Sequence, residues 1–379
     1  MTKNNSSEDI TEYYDDPTIL NEKLDELAQL LQSSKHVVFY TGAGISTSAG
    51  ISDFRGPNGI WTMKEKGMKA KASSSTIKLP TPTHMAIATL YQRGMIKYVT
   101  SQNVDGLHVK SGFSRKDISE LHGNTNVELC KNCNCEYLRT FRCRNAEHVH
   151  DHKTGRMCEH CGHELEDSII NFGENLPEDQ LDRAELNAKK ADLAIVLGTS
   201  LRVSPACDLP EMCLKKGGKM VIVNLQKTPK DKKSSLRIFA KTDDVINGIM
   251  ERLSLSIPSY VLKSEFTLGA TEKEEKSIFG NIRRKIGVSL TSPIKGARIL
   301  SELEMRLVCE KKILKYTTPT IDEIPQDCKK VVARLSFNLD PKFGKEAECE
   351  LVLDNPHSSK TFFINVDTSD NSVQVTEAL

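Results

Sequence analysis

Four short apolar runs, each followed at once by small or polar residues, limit what this chain can fold into. They lie at residues 37–40, 98–99, 193–197 and 220–223. Helical patterns separate them, so we predict alternating strands and helices around a parallel sheet. Ligands of such sheets bind just beyond the carboxyl ends of the strands. The four polar endings are therefore expected to surround one crevice.

The overall charge is balanced, with Lys+Arg 52 against Asp+Glu 51, so composition predicts neither a nucleic-acid binder nor a membrane-surface protein. No apolar stretch approaches the roughly 18–20 residues that a membrane-spanning helix needs. The polar, acidic N-terminus does not resemble a presequence. We therefore expect an intracellular, soluble protein without direct membrane contact. In such a protein, eleven cysteines indicate metal ligands and buried thiols rather than disulfides.

The chain is predicted to have four parts. Residues 1–19 are expected to be a disordered tail, and residues 20–258 the main domain, beginning with a helix at 20–34 and containing a cysteine-rich module at about 125–170. The charged stretch TEKEEK predicts a linker over 259–290. Beyond it apolar residues alternate with polar ones in four runs, so residues 291–372 are expected to form an antiparallel β-rich module.

The polar endings contain residue types suited to a nucleotide. The turn from Gly42 to Ser46 resembles a phosphate-binding turn, but Thr47 occupies the place of a third glycine, and a plain strand-to-helix turn fits as well. The glycine-rich loop around Arg55 suits a flexible lid over a charged ligand, with an ordinary surface loop as the alternative. Side chains near Asn103 could bind a ribose, a carboxamide or a water, or could simply form a turn.

Two CxxC pairs are the most specific signal. Cys130 and Cys133 precede Cys158 and Cys161, with 24 residues between the pairs. Four thiolates can hold one Zn²⁺ tetrahedrally and leave no open position, so we predict a structural zinc. The cysteines and histidines between the pairs are expected to lie in a solvated loop.

A histidine whose pKa is near neutral is a natural general base. His122 lies just before the cysteine-rich module, but the chain contains ten histidines. Spacing alone therefore does not distinguish His122 from His84 or His108.

Taken together and in this order, the motifs GAGIS, DFRG, QNVDG, LHGN, the CxxC pairs, FGE, GTS and NLQ resemble the sirtuin family. The resemblance covers about residues 20–258, and several segments are most similar to the nuclear and nucleolar class IV branch. Thr199 stands where many members have serine. That branch often ends in a basic tail, whereas this chain has the β-rich module, so direct nucleic-acid binding stays open.

The resemblance implies an α/β fold, in which a Rossmann-like sheet carries an inserted zinc domain, with NAD and an acyl-lysine peptide between the two. It assigns to NAD the residues Gly42, Ala43, Gly44, Ser46, Asp53, Phe54, Arg55, Trp61, Gln102, Asn103, Asp105, Gly198, Thr199, Ser200, Asn224, Leu225, Gln226 and Thr242. It places the substrate peptide, as an added strand, beside Phe172, Gly173 and Glu174. It makes His122 and Asn103 catalytic.

The implied activity is NAD-dependent removal of acyl groups from protein lysines. In it His122 acts as general base on a ribose hydroxyl, and the products are free lysine, nicotinamide and O-acyl-ADP-ribose. Histones are the leading expected substrates, chromatin-associated proteins the expected partners, and the nucleus or nucleolus the expected location. One alternative is mono-ADP-ribosyl transfer at the same NAD site. Another is a low-turnover chromatin scaffold or NAD sensor, against which the intact His122 and Asn103 argue.

Overall fold

The computed structural model describes residues 10–68, 78–139, 141–145, 148–276, 282–291, 300–310, 312–325, 327–337, 346–355, 357–367 and 372–378. The chain divides into two compact units, the first ending at Pro258 and the second starting at Ser259. No helix among the described residues is both long and apolar enough to span a membrane.

The first unit is built on a six-stranded sheet. Its strands are β1 (Val37–Thr41), β2 (Tyr98–Ser101), β3 (Ile118–Glu120), β8 (Leu193–Leu197), β9 (Lys219–Val223) and β10 (Leu236–Ile238). They lie in the order β10-β9-β8-β1-β2-β3, and every neighbouring pair is parallel. This is the Rossmann order, in which the strand sequence reverses between β1 and β8. The predicted fold class is thereby confirmed.

Helices cover both faces of this sheet. They are α1 (Pro17–Ser33), α2 (Ile60–Glu65), α3 (Pro82–Gln92), α4 (Leu107–Lys110), α5 (Glu178–Lys190) and α6 (Thr242–Arg252), with 3₁₀ helices at Ala43–Ile45, Thr47–Ala49, Arg115–Asp117, Ala206–Lys216 and Asp231–Lys233. Strand β1 is buried along its whole length. Phe39 packs in the core with α1, α3 and α6, and Tyr40 in the core with α5. Because both faces are covered, the central strands β1 and β8 are buried at every position rather than at alternate ones.

The expectation of a disordered tail over residues 1–19 is wrong for residues 10–19, whereas residues 1–9 lie outside the described part. Helix α1 begins at Pro17, because the Asp16 side chain caps it by accepting a hydrogen bond from Thr18 N at 2.9 Å. The Asp15 carboxylate binds Lys23 Nζ at 2.7 Å and Phe239 N at 2.9 Å. Acidic composition suggested disorder, but these carboxylates have specific partners in the fold.

The cysteine-rich module is a small antiparallel sheet. Its strands are β4 (Val127–Leu129), β5 (Glu136–Leu138), β6 (Lys153–Met157) and β7 (Glu164–Asp167), in the order β5-β4-β7-β6. Its buried apolar cluster consists of Cys130, Cys158 and Leu165. A core of this size cannot offset the chain entropy lost on folding, so the module needs a further crosslink such as a metal ion.

The second unit contains two antiparallel sheets. Its strands are β11 (Val261–Lys276), β12 (Ile282–Thr291), β13 (Leu300–Cys309), β14 (Ile313–Tyr316), β15 (Thr320–Ile321), β16 (Cys328–Phe337), β17 (Glu346–Val352), β18 (Ser359–Asp367) and β19 (Val373–Glu377). One sheet has the order β15-β12-β11-β18-β19 and the other β14-β13-β16-β17. Alternate side chains such as Met305, Leu307, Val331 and Leu335 are fully buried, in keeping with the predicted alternation.

The predicted linker over 259–290 is wrong for residues 259–276 and 282–290, whereas residues 277–281 lie outside the described part. Strand β11 pairs with β12 from Thr267 to Lys276, so the charged stretch TEKEEK continues a strand. The reason is visible upstream, where Leu262, Phe266, Leu268 and Ala270 are buried at a spacing of two residues or a multiple of two. A buried face of this kind holds a strand in register, even when the strand runs on into charged residues.

Candidate active site and zinc centre

The glycine turn after β1 packs directly against the end of β8. Gly44 N donates a hydrogen bond to Gly198 O at 2.8 Å, and Gly42 N donates to Leu197 O at 3.1 Å. A Cβ on Gly42 would lie 2.6 Å from Thr199 Cβ, and one on Gly44 would lie 2.6 Å from Gly198 Cα. These glycines are therefore required by the approach of two backbone segments, whether or not a phosphate binds there.

Replacing Gly198 by Ala is expected to destabilise the first unit more than the same change at Gly217. Both have positive φ, 61° and 79°, which disfavours alanine by about 1–2 kcal/mol. Only at Gly198 would the new Cβ also meet backbone, 2.8 Å from Gly44 Cα, which adds about 1–3 kcal/mol. Urea unfolding followed by Trp61 fluorescence measures this unit alone, since the chain has one tryptophan. Equal destabilisation by the two variants would contradict the prediction.

No long helix follows the glycine turn directly. Two single-turn 3₁₀ helices, Ala43–Ile45 and Thr47–Ala49, come after it, so the expected strand-to-helix turn is only partly realised. A helix N-terminus nevertheless lies there, because α6 begins at Thr242, whose Oγ1 donates to Gly44 O at 3.5 Å. The positive end of this eleven-residue helix favours an anion beside the glycine turn.

Polar side chains from the loops after β1 and β2 form one hydrogen-bonded cluster beside this turn. Ser46 Oγ donates to Asp105 Oδ2 at 2.7 Å. Asn103 Nδ2 donates to Gly42 O at 3.0 Å and contacts Ser46 Oγ at 3.3 Å. The other Asp105 oxygen accepts from Leu107 N at 2.9 Å, which is an Asx turn. The turn and the site cluster thus exist together, so the two interpretations from sequence do not exclude each other.

The loop from Asp53 to Trp61 is tied to the ends of β8 and β9. The Arg55 guanidinium lies 4.3 Å from the centre of the Trp61 ring, and its Nη1 donates to Ser200 Oγ at 3.2 Å. Gln226 Nε2 donates to Arg55 O at 3.1 Å. Phe54, 42% exposed, lies 5.2 Å from Trp61 between ring centres. The loop therefore covers the crevice and keeps an aromatic surface exposed.

Asp53 has a different position from the rest of this loop. Its carboxylate turns inward and accepts a hydrogen bond from Gly56 N at 3.2 Å. Burial raises the pKa of Asp53, with the Gly56 hydrogen bond opposing the shift. The Asp53 side chain therefore stabilises the turn within its own loop.

Two side chains connect the remaining loops. Gln102 Nε2 donates to Thr199 Oγ1 at 3.1 Å, which links the ends of β2 and β8. Asn224 Nδ2 donates to Gln226 O at 2.9 Å, and Leu225 O accepts from Tyr13 N at 2.9 Å. The structure therefore gathers the predicted residues from the ends of β1, β2, β8 and β9 at one edge of the sheet.

His122 is held in one tautomer at this edge. Its Nδ1 lies 2.9 Å from Gln102 O, and a carbonyl only accepts, so Nδ1 carries the proton. Burial lowers the pKa of His122, and the hydrogen bond to Gln102 opposes the shift. At neutral pH the ring is therefore uncharged and Nε2 keeps its lone pair. This is the state that a general base requires.

His84 and His108 differ from His122 in burial. Both are almost completely buried, with ring centres 4.9 Å apart, and burial lowers the pKa of each to about 3. His108 Nε2 lies 2.9 Å from Thr41 Oγ1, and Nδ1 of His84 lies 2.8 Å from Thr81 Oγ1. Both are core histidines. His84 belongs to the capping box of α3, and His108 hydrogen-bonds to Thr41 of β1. Only the tertiary structure separates them from His122.

The first unit is expected to lose stability as the pH falls below about 6.5. The folded pKa of His84 and His108 lies below the unfolded value, so the unfolded chain takes up protons first. Stability is full above 6.5 and falls by about 1.4 kcal/mol per pH unit for each histidine. Urea midpoints by Trp61 fluorescence at pH 7 and pH 5 measure it. His84→Asn should flatten the slope and His163→Gln, an exposed control, should not. Glu120, whose pKa burial raises to about 7, opposes this loss over the same pH range, so the test is the difference between variants. Equal slopes in wild type and His84→Asn would contradict the prediction.

The four cysteines of the two CxxC pairs, Cys130, Cys133, Cys158 and Cys161, lie close together in the cysteine-rich module. Their sulfur atoms all lie within 4.8 Å of one another, with Cys130 Sγ–Cys161 Sγ at 3.4 Å and Cys133 Sγ–Cys158 Sγ at 3.6 Å. A ZnS₄ tetrahedron with bonds of about 2.3 Å has edges of about 3.8 Å, so the donor set fits zinc. Cys143 is buried elsewhere, its thiol 3.7 Å from Phe141 O.

The Phe172–Glu174 segment contacts both the lid loop and the cysteine-rich module. Phe172 is 69% exposed, and its ring lies 5.5 Å from that of Trp61. Glu174 Oε1 lies 2.5 Å from His150 Nδ1 and 2.9 Å from His152 Nε2, so these histidines are not simply solvated. Despite partial burial, hydrogen bonds from Asn171 N and the two histidines lower the pKa of Glu174 to about 2. The place of this segment beside a substrate peptide stays a prediction.

Sequence interpretation missed a buried carboxyl group beside His122. Glu120 is 9% exposed, and its Oε1 accepts from Asn124 Nδ2 at 2.7 Å across the loop that carries His122. Burial raises the pKa of Glu120 to about 7, with nearby Arg115 opposing the shift. The ELHGN motif contains both residues, but nothing in the sequence indicates that the carboxyl group is buried.

An open parallel sheet of Rossmann order, a glycine turn at its switch point and an inserted four-cysteine module together define a dinucleotide-binding α/β protein. A model of the Sir2 family matches residues 67–205. The NAD-dependent protein deacetylase Sirt6 of Drosophila melanogaster is 44% identical over 266 residues, which cover 68% of this chain and 83% of that protein. The chain belongs to the Sir2 family, the sirtuins, which confirms the resemblance seen in the sequence.

Two other relatives show how far the match extends. The NAD-dependent protein deacetylase SRT1 of Arabidopsis thaliana is 48% identical over 267 residues, 69% of this chain and 56% of that protein. An NAD-dependent protein deacetylase of Thermodesulfovibrio yellowstonii is 33% identical over 249 residues, 61% of this chain and 95% of that protein. The chain thus spans only somewhat more than half the length of the plant relative.

Proposed function

We propose that this protein is an NAD-dependent protein-lysine deacylase. One observation carries the proposal. His122 is held as a neutral Nδ1–H tautomer by Gln102 O, and the next residue, Asn103, belongs to the cluster with Ser46 and Asp105. A poised proton acceptor next to amide, hydroxyl and carboxylate groups suits chemistry on a sugar hydroxyl. The three relatives named above are all NAD-dependent protein deacetylases.

NAD would be held as a substrate along the carboxyl edge of the sheet. Its pyrophosphate would lie by Gly42, Ala43, Gly44 and Ser46, near the positive end of α6 at Thr242. The nicotinamide end would lie under the lid residues Phe54, Arg55 and Trp61, whose turn Asp53 holds, and against Gln102, Asn103 and Asp105. The adenosine half would lie by Gly198, Thr199, Ser200, Asn224, Leu225 and Gln226. The lid excludes water from the reacting bond.

His122 would supply the general base. Nε2 accepts a proton from a hydroxyl of the nicotinamide ribose, and the Nδ1–H bond to Gln102 O stabilises the imidazolium that forms. Asn103 is oriented by its hydrogen bond to Gly42 O and would position the reacting water or ribose. Base catalysis by His122 would require no metal ion in the reaction.

The zinc would be structural. Cys130, Cys133, Cys158 and Cys161 supply four thiolates, which fill a tetrahedral coordination sphere and leave no position for substrate. Bound zinc would supply the crosslink that the module's small core lacks.

Substrates are proposed to be acyl-lysine segments of proteins, with histones and other chromatin proteins first and a nuclear location. The exposed Phe172 and the Trp61 ring beside it offer apolar surface to the acyl-lysine side chain. A nuclear location rests on the similarity to the class IV branch, and cell fractionation with an antibody to the protein tests it. The β-rich second unit is a candidate for partner recruitment.

The deciding experiment incubates the purified full chain with NAD and acetyl-, myristoyl- or unmodified-lysine histone peptides, and follows all products by mass spectrometry. Free lysine and O-acyl-ADP-ribose, formed by the wild type and not by His122→Tyr, would support the deacylase. ADP-ribose attached to protein while the peptides stay acylated would favour the transferase. Binding of NAD without any turnover would favour the scaffold or sensor.

A further inference from the structure

Beside the four-cysteine cluster lies a second set of metal-binding donors. The sulfur atoms of Cys133 and Cys135 and a ring nitrogen of His160 lie within 4.8 Å of one another. Cys133 belongs to both sets, whereas Cys135 and His160 belong only to the second. Cys135 is half-buried and His160 is exposed, so the second set opens to solvent.

The local backbone explains why Cys135 lies there. Asn134 adopts a left-handed conformation with φ 58°, which asparagine tolerates better than most residues. Its N–H donates to Cys130 O at 2.9 Å, and Cys130 N donates to Cys135 O at 2.9 Å. The chain therefore reverses direction just after Cys133, which places the half-buried Cys135 next to the four-cysteine cluster.

The turn at the second CxxC pair, Cys158 and Cys161, places His160 beside the cluster in a similar way. Gly162 N donates to Cys158 O at 2.8 Å, and Cys158 N donates to His163 O at 2.7 Å. These bonds close a tight loop from residue 158 to residue 163, at whose tip His160 is exposed. Two hydrogen-bonded turns thus bring a thiol and an imidazole to the same side of the cluster.

The chemistry of these donors suits one class of ligand. Thiolate and imidazole prefer d¹⁰ cations such as Zn²⁺, Cd²⁺ and Cu⁺. Zn²⁺ bound to four thiolates carries a net charge of two minus, and a bound thiolate sulfur still has lone pairs. A second cation sharing Cys133 would reduce this charge. With three protein donors its fourth position would be left to water, so that ion would exchange readily.

We propose that Cys133, Cys135 and His160 form a second, exchangeable site for a thiophilic d¹⁰ cation, with the Cys133 sulfur bridging it to the structural zinc. On binding, the Cys135 thiol releases its proton to solvent and coordinates as thiolate.

The test adds Cd²⁺ stepwise to the zinc-loaded full chain, counts bound ions by native mass spectrometry and identifies the donors by ¹¹³Cd NMR. We expect wild type to hold one zinc and one cadmium, the cadmium with sulfur and nitrogen donors. Cys135→Ser and His160→Ala should each weaken cadmium binding at least tenfold. Cys143→Ser, a thiol outside the cluster, and His163→Ala, an exposed neighbouring histidine, are matched controls and should leave it unchanged.

Three results would overturn the proposal. Cadmium could displace the zinc and leave one ion in total. Both variants could bind the second ion as tightly as wild type. The purified chain could contain no zinc, in which case Cys133 has nothing to bridge. Deacylation is not measured, so these results are independent of the proposed enzymatic function.

Discussion

Replacing His122 by Tyr is expected to lower the deacylation rate by at least about a hundredfold, and by up to about ten-thousandfold. General acid–base catalysis contributes effects of this size. In the wild type, burial and the hydrogen bond to Gln102 O keep Nε2 as a proton acceptor at neutral pH. A phenol cannot take that role, because its ordinary pKa is near 10 and the neutral form is a poor base. Single-turnover measurements with an acetyl-lysine peptide and NAD give the rate.

Three comparisons make this result specific to the proton transfer. His122→Asn should also be inactive, which separates loss of the base from the bulk of a tyrosine. His163→Tyr, an exposed histidine, should retain wild-type activity. NAD affinity, measured by calorimetry, should change only a few-fold in either His122 variant. Retention of more than a tenth of the wild-type rate in both His122 variants would rule out His122 as the base.

Replacing Cys158 by Ser is expected to remove the zinc and unfold the cysteine-rich module. Structural zinc contributes about 10–16 kcal/mol in zinc-finger peptides, and the module's buried apolar cluster of Cys130, Cys158 and Leu165 is small. Hydrogen exchange should show lost protection across β4 to β7. Strands β1 and β8, whose residues are all buried, should keep their protection because their core lies elsewhere.

Metal analysis provides the second measurement. Zinc content should fall from one ion per chain to none in Cys158→Ser, and a strong chelator should have the same effect on wild type. Cys207→Ser changes a buried thiol in the Rossmann-like domain and should keep the zinc. A Cys158→Ser chain with full zinc and a protected module would show that zinc does not hold this module.

Much of the fold could be predicted from the sequence because the patterns that indicate strands and metal ligands extend over only a few neighbouring residues. Continuous apolar runs ending in polar residues predicted buried parallel strands, and paired CxxC motifs predicted a four-thiolate cluster that the structure brings together. Alternation at Met305, Leu307, Val331 and Leu335 predicted strands β13 and β16 of the second unit. The linker and tail predictions were wrong for a common reason. Charged residues favour disorder when only the sequence is considered, but charge at an exposed strand position or a helix cap is compatible with order.

The candidate site depended on contacts between residues distant in sequence. Sequence placed Gly42 and Gly44 in a turn, but only the packed structure shows Gly198 within van der Waals contact of them. It offered His84, His108 and His122 as equivalent bases, and burial in the core made the first two inert. The sequence after Gly44 allowed a strand-to-helix turn, whereas the helix N-terminus beside Gly44 belongs to α6, nearly 200 residues away.

The sequence by itself determined four of the six strands of the parallel sheet, the family and the donor residues for zinc, since periodicity and short motifs act over a few residues. Tertiary structure alone decided which histidine keeps a usable lone pair, which carboxyl group is buried and which cysteine lies beside the zinc cluster. The physical reason is that pKa, burial and ligand geometry depend on neighbours in space. Those neighbours come from different strands and loops, and only the folded chain brings them together.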